Sequence, residues 1–338
     1  MSVEAFLRFV KINTKLCSFM PMIIALAYEL YVFGELKVLD TILFMISMLF
    51  IDMATTGLNN FMDYKKAIYK DGNNYKVFNA VVRYNISEKL AVSTIVILYV
   101  IGIIFGVALC FIQGWIGVLT FAIGCVSFVV AITYSAGPIP VSHTPYGEII
   151  SGFVMGYFIF VVTIYTQLDM NEYIRVVANS IELNNIIGNV VIDFKFITLM
   201  IKIFFLSLPV QMTIANIMLA NNLCGISKVD QENDLKNRRY TLPYYLGAKN
   251  ALKLYEGMFI VSVILILIYG ILGWIPLLAG IISLLYMFTS RYKTLLNKFL
   301  KEQGKLTTFE TSVHLFFDFT MLYFLGIFIP YLFKLFMK

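Results

Sequence analysis

The sequence predicts an all-α polytopic membrane protein, a bundle of about nine transmembrane helices, and three observations predict it. About 60% of the 338 residues are apolar and only 14% are charged, against roughly 25% charged in soluble domains. The apolar residues gather into runs of the length a helix needs to cross a bilayer, about 20 residues. Those runs are nearly continuous and rich in aromatics, without the period-two alternation of barrel strands. They also lie too close together for separate globular cores, so residues 1–338 read as one domain.

The first span, 16–34, follows a flank carrying Arg8, Lys11 and Lys15 and lacks a small-residue cleavage site. It reads as a retained helix rather than a signal. The second, 41–60, ends on the polar string Asn59-Asn60-Phe61-Met62-Asp63-Tyr64-Lys65-Lys66. A basic loop with Lys70, Lys76 and Arg83 leads to spans three and four, 89–111 and 114–134, and a fifth covers 147–167. The connection 168–195 is long and mixed in polarity, with room for a short interfacial helix and no assigned chemistry. The sixth span, 196–224, carries Asn216, Asn221 and Asn222 in its last turns, where leucine would cost less. The last three occupy 254–272, 274–290 and 311–333.

With the N-terminus in the cytoplasm, the outer segments keep only six of the 26 lysines and arginines: Lys37, Arg175, Lys195, Lys202, Lys334 and Lys338. This asymmetry sets the orientation in the cell membrane and puts both polar clusters on the cytoplasmic side. It also accounts for the net charge of +6 without a nucleic-acid partner. Cys17, Cys110, Cys125 and Cys224 show no metal-ligand spacing and read as small buried hydrophobes. Two histidines, His143 and His314, are too few for a zinc or haem site.

Asn59 and Asp63 stand four residues apart and share one helix face. An amide oxygen and a carboxylate so placed can hold a hard cation while waters and phosphate oxygens complete its octahedron. Lys66 and Arg83 follow as cations that can grip phosphate. The plainer reading is a polar helix end entering a solvated loop; it is preferred for Lys65, Lys70 and Lys76 singly, but not for Asn59 with Asp63. The stretch from Asn222 through Asp230 and Asp234 to Arg238 and Arg239 repeats the four-residue carboxylate spacing, and alone it divides evenly between site and solvated loop. Carboxylates about 7 Å apart repel by roughly 2.4 kcal/mol at an effective dielectric of 20. Gathering both clusters at one membrane face therefore calls for cations, and the expected chemistry is binding of a magnesium diphosphate.

These residues resemble the UbiA superfamily of intramembrane prenyltransferases, and within it the MenA branch, the 1,4-dihydroxy-2-naphthoate polyprenyltransferases. Asn59 and Asp63 match the first family motif, in which Asn60 replaces an aspartate and Ala67 fills the last place. Asp230, Asp234, Arg238, Arg239, Thr241, Leu242 and Gly247 match the second, with about five extra residues, Gly225 to Val229, separating it from Asn221 and Asn222. Tyr134 to Pro140, through Gly147 and Glu148, is similar to the branch's segment between the fourth and fifth spans.

The resemblance implies nine helices around a central cavity that opens laterally to lipid, and Mg2+ held by Asn59, Asp63, Asp230 and Asp234. It implies a polyprenyl diphosphate donor contacted by Lys66, Arg83, Asn222, Arg238 and Arg239, and an aromatic acceptor resembling dihydroxynaphthoate. Tyr134 is the preferred aromatic beside the allylic cation, joining Asp63, Asp230 and Asp234 as a catalytic candidate. Lys15 is a further candidate for the diphosphate, and His143 reads as a loop histidine rather than a base. The alternatives are transfer to another phenol, terpene cyclisation, an inactive family member, or a lipid-binding or transport protein. Transport predicts charges near the bilayer midplane rather than at helix ends.

Overall fold

The apolar runs fold as helices because a bilayer offers no partners for backbone N–H and C=O groups, which a helix satisfies within itself. The computed structural model describes residues 1–66, 79–114, 117–167, 194–223, 235, 238–301 and 306–337. Among these, eight helices are long and apolar enough to cross a membrane, and a shorter apolar helix adds a ninth. The chain runs through α1 (Val3–Phe9), α2 (Leu16–Val32), α3 (Val38–Lys66), α4 (Glu88–Gln113), α5 (Gly117–Ser135) and α6 (Gly147–Gln167). It continues through α7 (Phe194–Leu223), α8 (Leu242–Ile271), the short α9 (Leu277–Phe288), α10 (Ser290–Lys301) and α11 (Leu306–Phe336).

Two boundaries differ from the hydropathy reading for identifiable reasons. Helix α3 continues past residue 60 through the whole first polar string, so that string is helical. Helix α8 begins at Leu242 rather than near 254, with Pro243 in its first turn, a position proline favours. Gly247, at φ 70 and ψ 157, breaks its axis, so a polar, kinked start precedes the apolar stretch that hydropathy detects. Helix α10, which no span predicts, is amphipathic: it buries Tyr292 and Phe299 and exposes Lys293, Lys298 and Lys301.

The larger apolar core joins α2, α6, α7, α8, α9, α10 and α11, with Phe259, Phe299, Phe316, Phe319 and Tyr323 among its fully buried rings. A smaller one joins α1, α3 and α4 through Phe9, Ala54, Ile95 and Leu98. Helices α3 and α4 approach closely because Gly102 and Gly106 present no side chain. A Cβ on Gly102 would lie 2.6 Å from Ile51, and one on Gly106 would lie 2.8 Å from Ser47. Ser47 Oγ donates to the Gly102 carbonyl at 2.8 Å across the contact, as small-residue packing in membranes permits.

Several helix ends converge at one end of the bundle. Lys65 at the end of α3 reaches Glu88 at the start of α4. Lys66 donates to the Gly137 carbonyl just beyond α5 at 2.5 Å. Asn222 near the end of α7 donates to Glu148 at the start of α6 at 2.7 Å.

Candidate active site at the polar end of the cavity

A cavity of about 1730 Å3 lies between the two cores, and its polar end receives Lys11, Asn59, Asp63, Tyr134, His143, Asn222 and Arg239. The helical period explains the α3 contribution. Asp52, Thr56, Asn59 and Asp63, spaced at i, i+4, i+7 and i+11, form one stripe that lines the cavity. Asn60 has another use. It is 3% exposed, and its Nδ2 donates to the Phe9 carbonyl at 2.7 Å. Asn79 Nδ2 in turn donates to the Asn60 carbonyl at 2.9 Å. An aspartate at 60 would set a carboxylate against the Phe9 carbonyl oxygen, so the amide suits this position. Asn60→Asp is expected to destabilise the protein by about 2 kcal/mol, the cost of breaking a buried hydrogen bond and leaving its acceptor unpaired. A thermal scan in detergent checks it, and an unchanged midpoint would mean the amide is not a tie.

Lys15 does not reach the polar end. Its Nζ donates to Asp52 Oδ1 at 2.6 Å, to the Asp52 carbonyl at 3.1 Å and to Thr56 Oγ1 at 2.7 Å. Those three acceptors match the three donors of an ammonium, leaving none for a diphosphate. Ser18 Oγ completes the cluster, donating to Asp52 Oδ2 at 2.6 Å. Lys11 lines the cavity instead, from a left-handed backbone at φ 46 in the break between α1 and α2. Burial pulls its ammonium below the ordinary lysine value; Asp63 pulls it back up, while Arg239 and Lys15 push it down.

The opposite wall carries a relay of oriented groups. Glu148 Oε1 accepts from Asn222 Nδ2 at 2.7 Å, and Asn222 Oδ1 accepts from Arg239 Nη2 at 3.3 Å. Glu148, only 2% exposed, thus fixes the Asn222 amide, which helps aim the Arg239 guanidinium. His143 is not the bland loop histidine expected from sequence. Its Nε2 lies 3.7 Å from Asp63 Oδ1 with the side chain 14% exposed, and Tyr240 N donates to its carbonyl at 2.9 Å. Tyr134 lines the cavity with its hydroxyl 4.0 Å from Met218 sulfur.

Lys66 and Arg83 line the outer mouth, and Arg83 stacks over Tyr84 at 5.5 Å. Arg238 is exposed at φ 55 and does not line the cavity. Cys17 is buried as expected, but Cys110 is half-buried and Cys125 exposed, and both line the cavity. Asp230, Asp234 and Cys224 lie outside the described residues.

Sequence reasoning missed Asp52 and the part played by Glu148. For both, the available signal was a carboxylate inside an apolar run, which is costly unless paired. Among the described residues no group of three or more His, Cys, Asp or Glu side chains is gathered for a metal. Asn59 and Asp63 nevertheless offer the hard oxygen set that suits Mg2+, which commonly takes one or two carboxylates and completes its shell with water and substrate phosphate.

The profile of the UbiA prenyltransferase family matches residues 18–317. A 1,4-dihydroxy-2-naphthoate octaprenyltransferase from Bacillus subtilis (strain 168) is 25% identical over 252 residues, covering 75% of this chain and 69% of that protein. A UbiA homolog from Archaeoglobus fulgidus, solved bound to GPP and Mg2+, superposes with a TM-score of 0.60 at 15% identity, covering 96% of this chain and 98% of that one. The apo structure of a UbiA homolog from Aeropyrum pernix K1 gives 0.60 at 15% identity, with coverages of 93% and 97%. At such identity these two likenesses are of fold.

Proposed function

The chain belongs to the UbiA prenyltransferase family and is an integral membrane prenyltransferase, and from that premise we propose that it transfers a polyprenyl group from its diphosphate to 1,4-dihydroxy-2-naphthoate, with Mg2+. The observation that carries this is the polarity of the cavity. Lys11, His143 and Arg239 stand around Asp63 at one end, and beyond them the walls turn apolar through Ile103, Val107, Phe121 and Phe128. A diphosphate fits the first region and its hydrocarbon tail the second. The acceptor assignment is favoured by the naphthoate-prenylating relative. The charge asymmetry supports a cytoplasmic position for the polar end.

In this reading Asn59 and Asp63, with Asp230 and Asp234, would hold Mg2+, which would supply positive charge to balance the diphosphate. Lys11 and Arg239 clamp phosphate oxygens, Arg239 through a guanidinium already oriented by Asn222 and Glu148. Lys66 and Arg83 at the mouth draw the anion in. The donor C–O bond breaks with its electron pair going to the diphosphate oxygen, and an allylic cation forms. Tyr134 offers a ring face to that cation, and the apolar wall keeps water from it. The acceptor's ring carbon attacks, and its carboxylate leaves as carbon dioxide, returning the bonding pair to the ring.

The test is an assay of purified protein with labelled prenyl diphosphates and a panel of aromatic acids. Decarboxylative prenylation of dihydroxynaphthoate is the expected result, and activity confined to another acceptor would overturn the assignment. Within that assay, Lys11→Met and Arg239→Gln are each expected to lower kcat/KM for the donor by about 10- to 100-fold, the loss of a charge-assisted hydrogen bond worth about 1.5–3 kcal/mol. Lys15→Met is expected to lower stability while leaving donor KM unchanged. A raised donor KM in Lys15→Met alone would reverse the roles of the two lysines.

A further inference from the structure

Helix α10 carries four cations, Arg291, Lys293, Lys298 and Lys301, and no acidic residue. At helical spacing they separate cleanly from the apolar positions. Tyr292, Leu295, Leu296, Phe299 and Leu300 fall on one face and join the larger core. Phe299 stacks on Tyr255 of α8 with centroids 4.0 Å apart, and Tyr292 meets Phe259 at 5.6 Å. The apolar face is therefore already covered, and only the polar face is left for a partner. On it Lys293, Asn297 and Lys301 stand at i, i+4 and i+8, with Lys298 on the adjoining ridge, and all four are exposed.

Arg291 is neutralised within the fold, donating to both carboxylate oxygens of Asp318. The three lysines are not. Among the described residues they form no ion pair, and they do not line the cavity. Glu256 of α8 lies beside Tyr292 but outside ion-pair distance of these ammonium groups.

The depth of α10 decides what can meet that face. Helix α9 has 12 residues, about 18 Å of rise, and so stops well short of the ~30 Å of a bilayer's hydrocarbon. The ring contacts agree, since Phe259 stands twelve residues, about 18 Å, from the end of α8 at Ile271. The turn at Thr289 therefore lies within the leaflet at the polar end of the bundle, and α10 starts below its surface. From Tyr292 to Phe299 α10 advances about 10.5 Å, whereas their partners Phe259 and Tyr255 are about 6 Å apart along α8. The helix thus rises obliquely through the interface. Lysines there lay their stems along apolar surface and extend their ammonium groups to the phosphate level.

We propose that the polar face of α10 binds the phosphate headgroups of anionic phospholipids in that leaflet, through Lys293, Lys298 and Lys301. An anionic leaflet presents the complementary charge at the depth where all three emerge. A soluble acidic partner would reach Lys301 more readily than Lys293. The surface is separate from the prenyl-transfer site and holds whichever acceptor the cavity takes.

The test is native mass spectrometry of the full chain in detergent, titrated with phosphatidylglycerol or phosphatidylcholine of matched acyl chains. Wild type is expected to bind phosphatidylglycerol at least about tenfold more tightly. The triple replacement Lys293→Gln, Lys298→Gln and Lys301→Gln is expected to lose at least about tenfold in that affinity, each basic residue at an anionic surface contributing about fivefold. Phosphatidylcholine binding is expected to stay within about twofold. The control pair Lys249→Gln with Lys253→Gln, exposed on α8, is expected to keep the preference. Phosphatidylglycerol binding unchanged in the triple variant, or weakened as much by the control pair, would overturn the proposal.

Two other occupants give distinct results. Competition between geranyl diphosphate and phosphatidylglycerol for the lysine-dependent site would assign the face to the donor. Loss of self-association in the triple variant, with lipid binding intact, would assign it to a second copy of the chain. Either would sink the lipid proposal. Should the triple variant not fold, the three single replacements are read instead, each expected to weaken phosphatidylglycerol about fivefold; three silent variants would count against it equally.

Discussion

Asp63→Ala is expected to lower Mg2+-dependent prenyl transfer by about a thousandfold or more, while the protein folds as wild type does. The side chain sits near the end of α3 and faces the cavity rather than either apolar core, so little packing is lost. What is lost is a carboxylate among Lys11, His143 and Arg239, the one acidic side chain that the first cluster brings to the polar end of the cavity. Without it three cationic or ionisable groups face one another with less compensation, and on the proposed reading Mg2+ would lose its charged ligand. A thousandfold loss corresponds to about 4 kcal/mol of transition-state stabilisation. Asp63→Asn keeps an oxygen donor but not the charge, so it is expected to retain more activity and to need more Mg2+. Turnover against Mg2+ concentration, with gel filtration to report folding, checks both. Near-normal rates in the alanine variant would mean that the metal contact lies elsewhere.

The largest stability effect is expected at the Lys15–Asp52 pair. With side chains 8% and 15% exposed and 2.6 Å apart, the two charges are removed from water, and each depends on the other. Asp52→Ala is expected to destabilise the protein by about 3 kcal/mol, because a buried ammonium then keeps only the hydroxyl of Thr56 and the carbonyl at residue 52. The double replacement Lys15→Met with Asp52→Leu removes both charges and is expected to recover most of that loss. Thermal inactivation in detergent distinguishes the two. A double variant as unstable as the single one would mean that the hydrogen bonds from Ser18 and Thr56, rather than the charge, hold the site.

The fold was legible because hydropathy is a local property. Each span is a run of apolar residues, and helix is the form such a run takes in lipid. The start of α8 escaped because Lys249, Lys253 and the bend at Gly247 look like loop. Within the site, Asn59 and Asp63 were legible for the same local reason, since four residues make one helical turn. Contacts between distant helices were not. Lys15 meets Asp52 across 37 residues, and Glu148 meets Asn222 across 74; only the packing of α2 on α3 and of α6 on α7 creates those pairs. The same blindness put Lys15 forward for the diphosphate, although its ammonium is taken up by Asp52 and Thr56 and Lys11, four residues earlier, is the lysine that lines the cavity. His143 looked like a surface residue because nothing in its own segment announces Asp63.

The Lys15–Asp52 strut has a consequence for biogenesis. Asp52 lies midway along the 29 residues of α3, and an acidic residue at the centre of an inserting helix costs about 2.5–3.5 kcal/mol on translocon scales. Its neutralising lysine stands immediately before the first turn of α2, the helix synthesised just before it. The second helix therefore partitions into lipid most favourably while the first still stands beside it at the translocon, so that the two enter as a hairpin. The pair thereby constrains the order in which the membrane receives the chain.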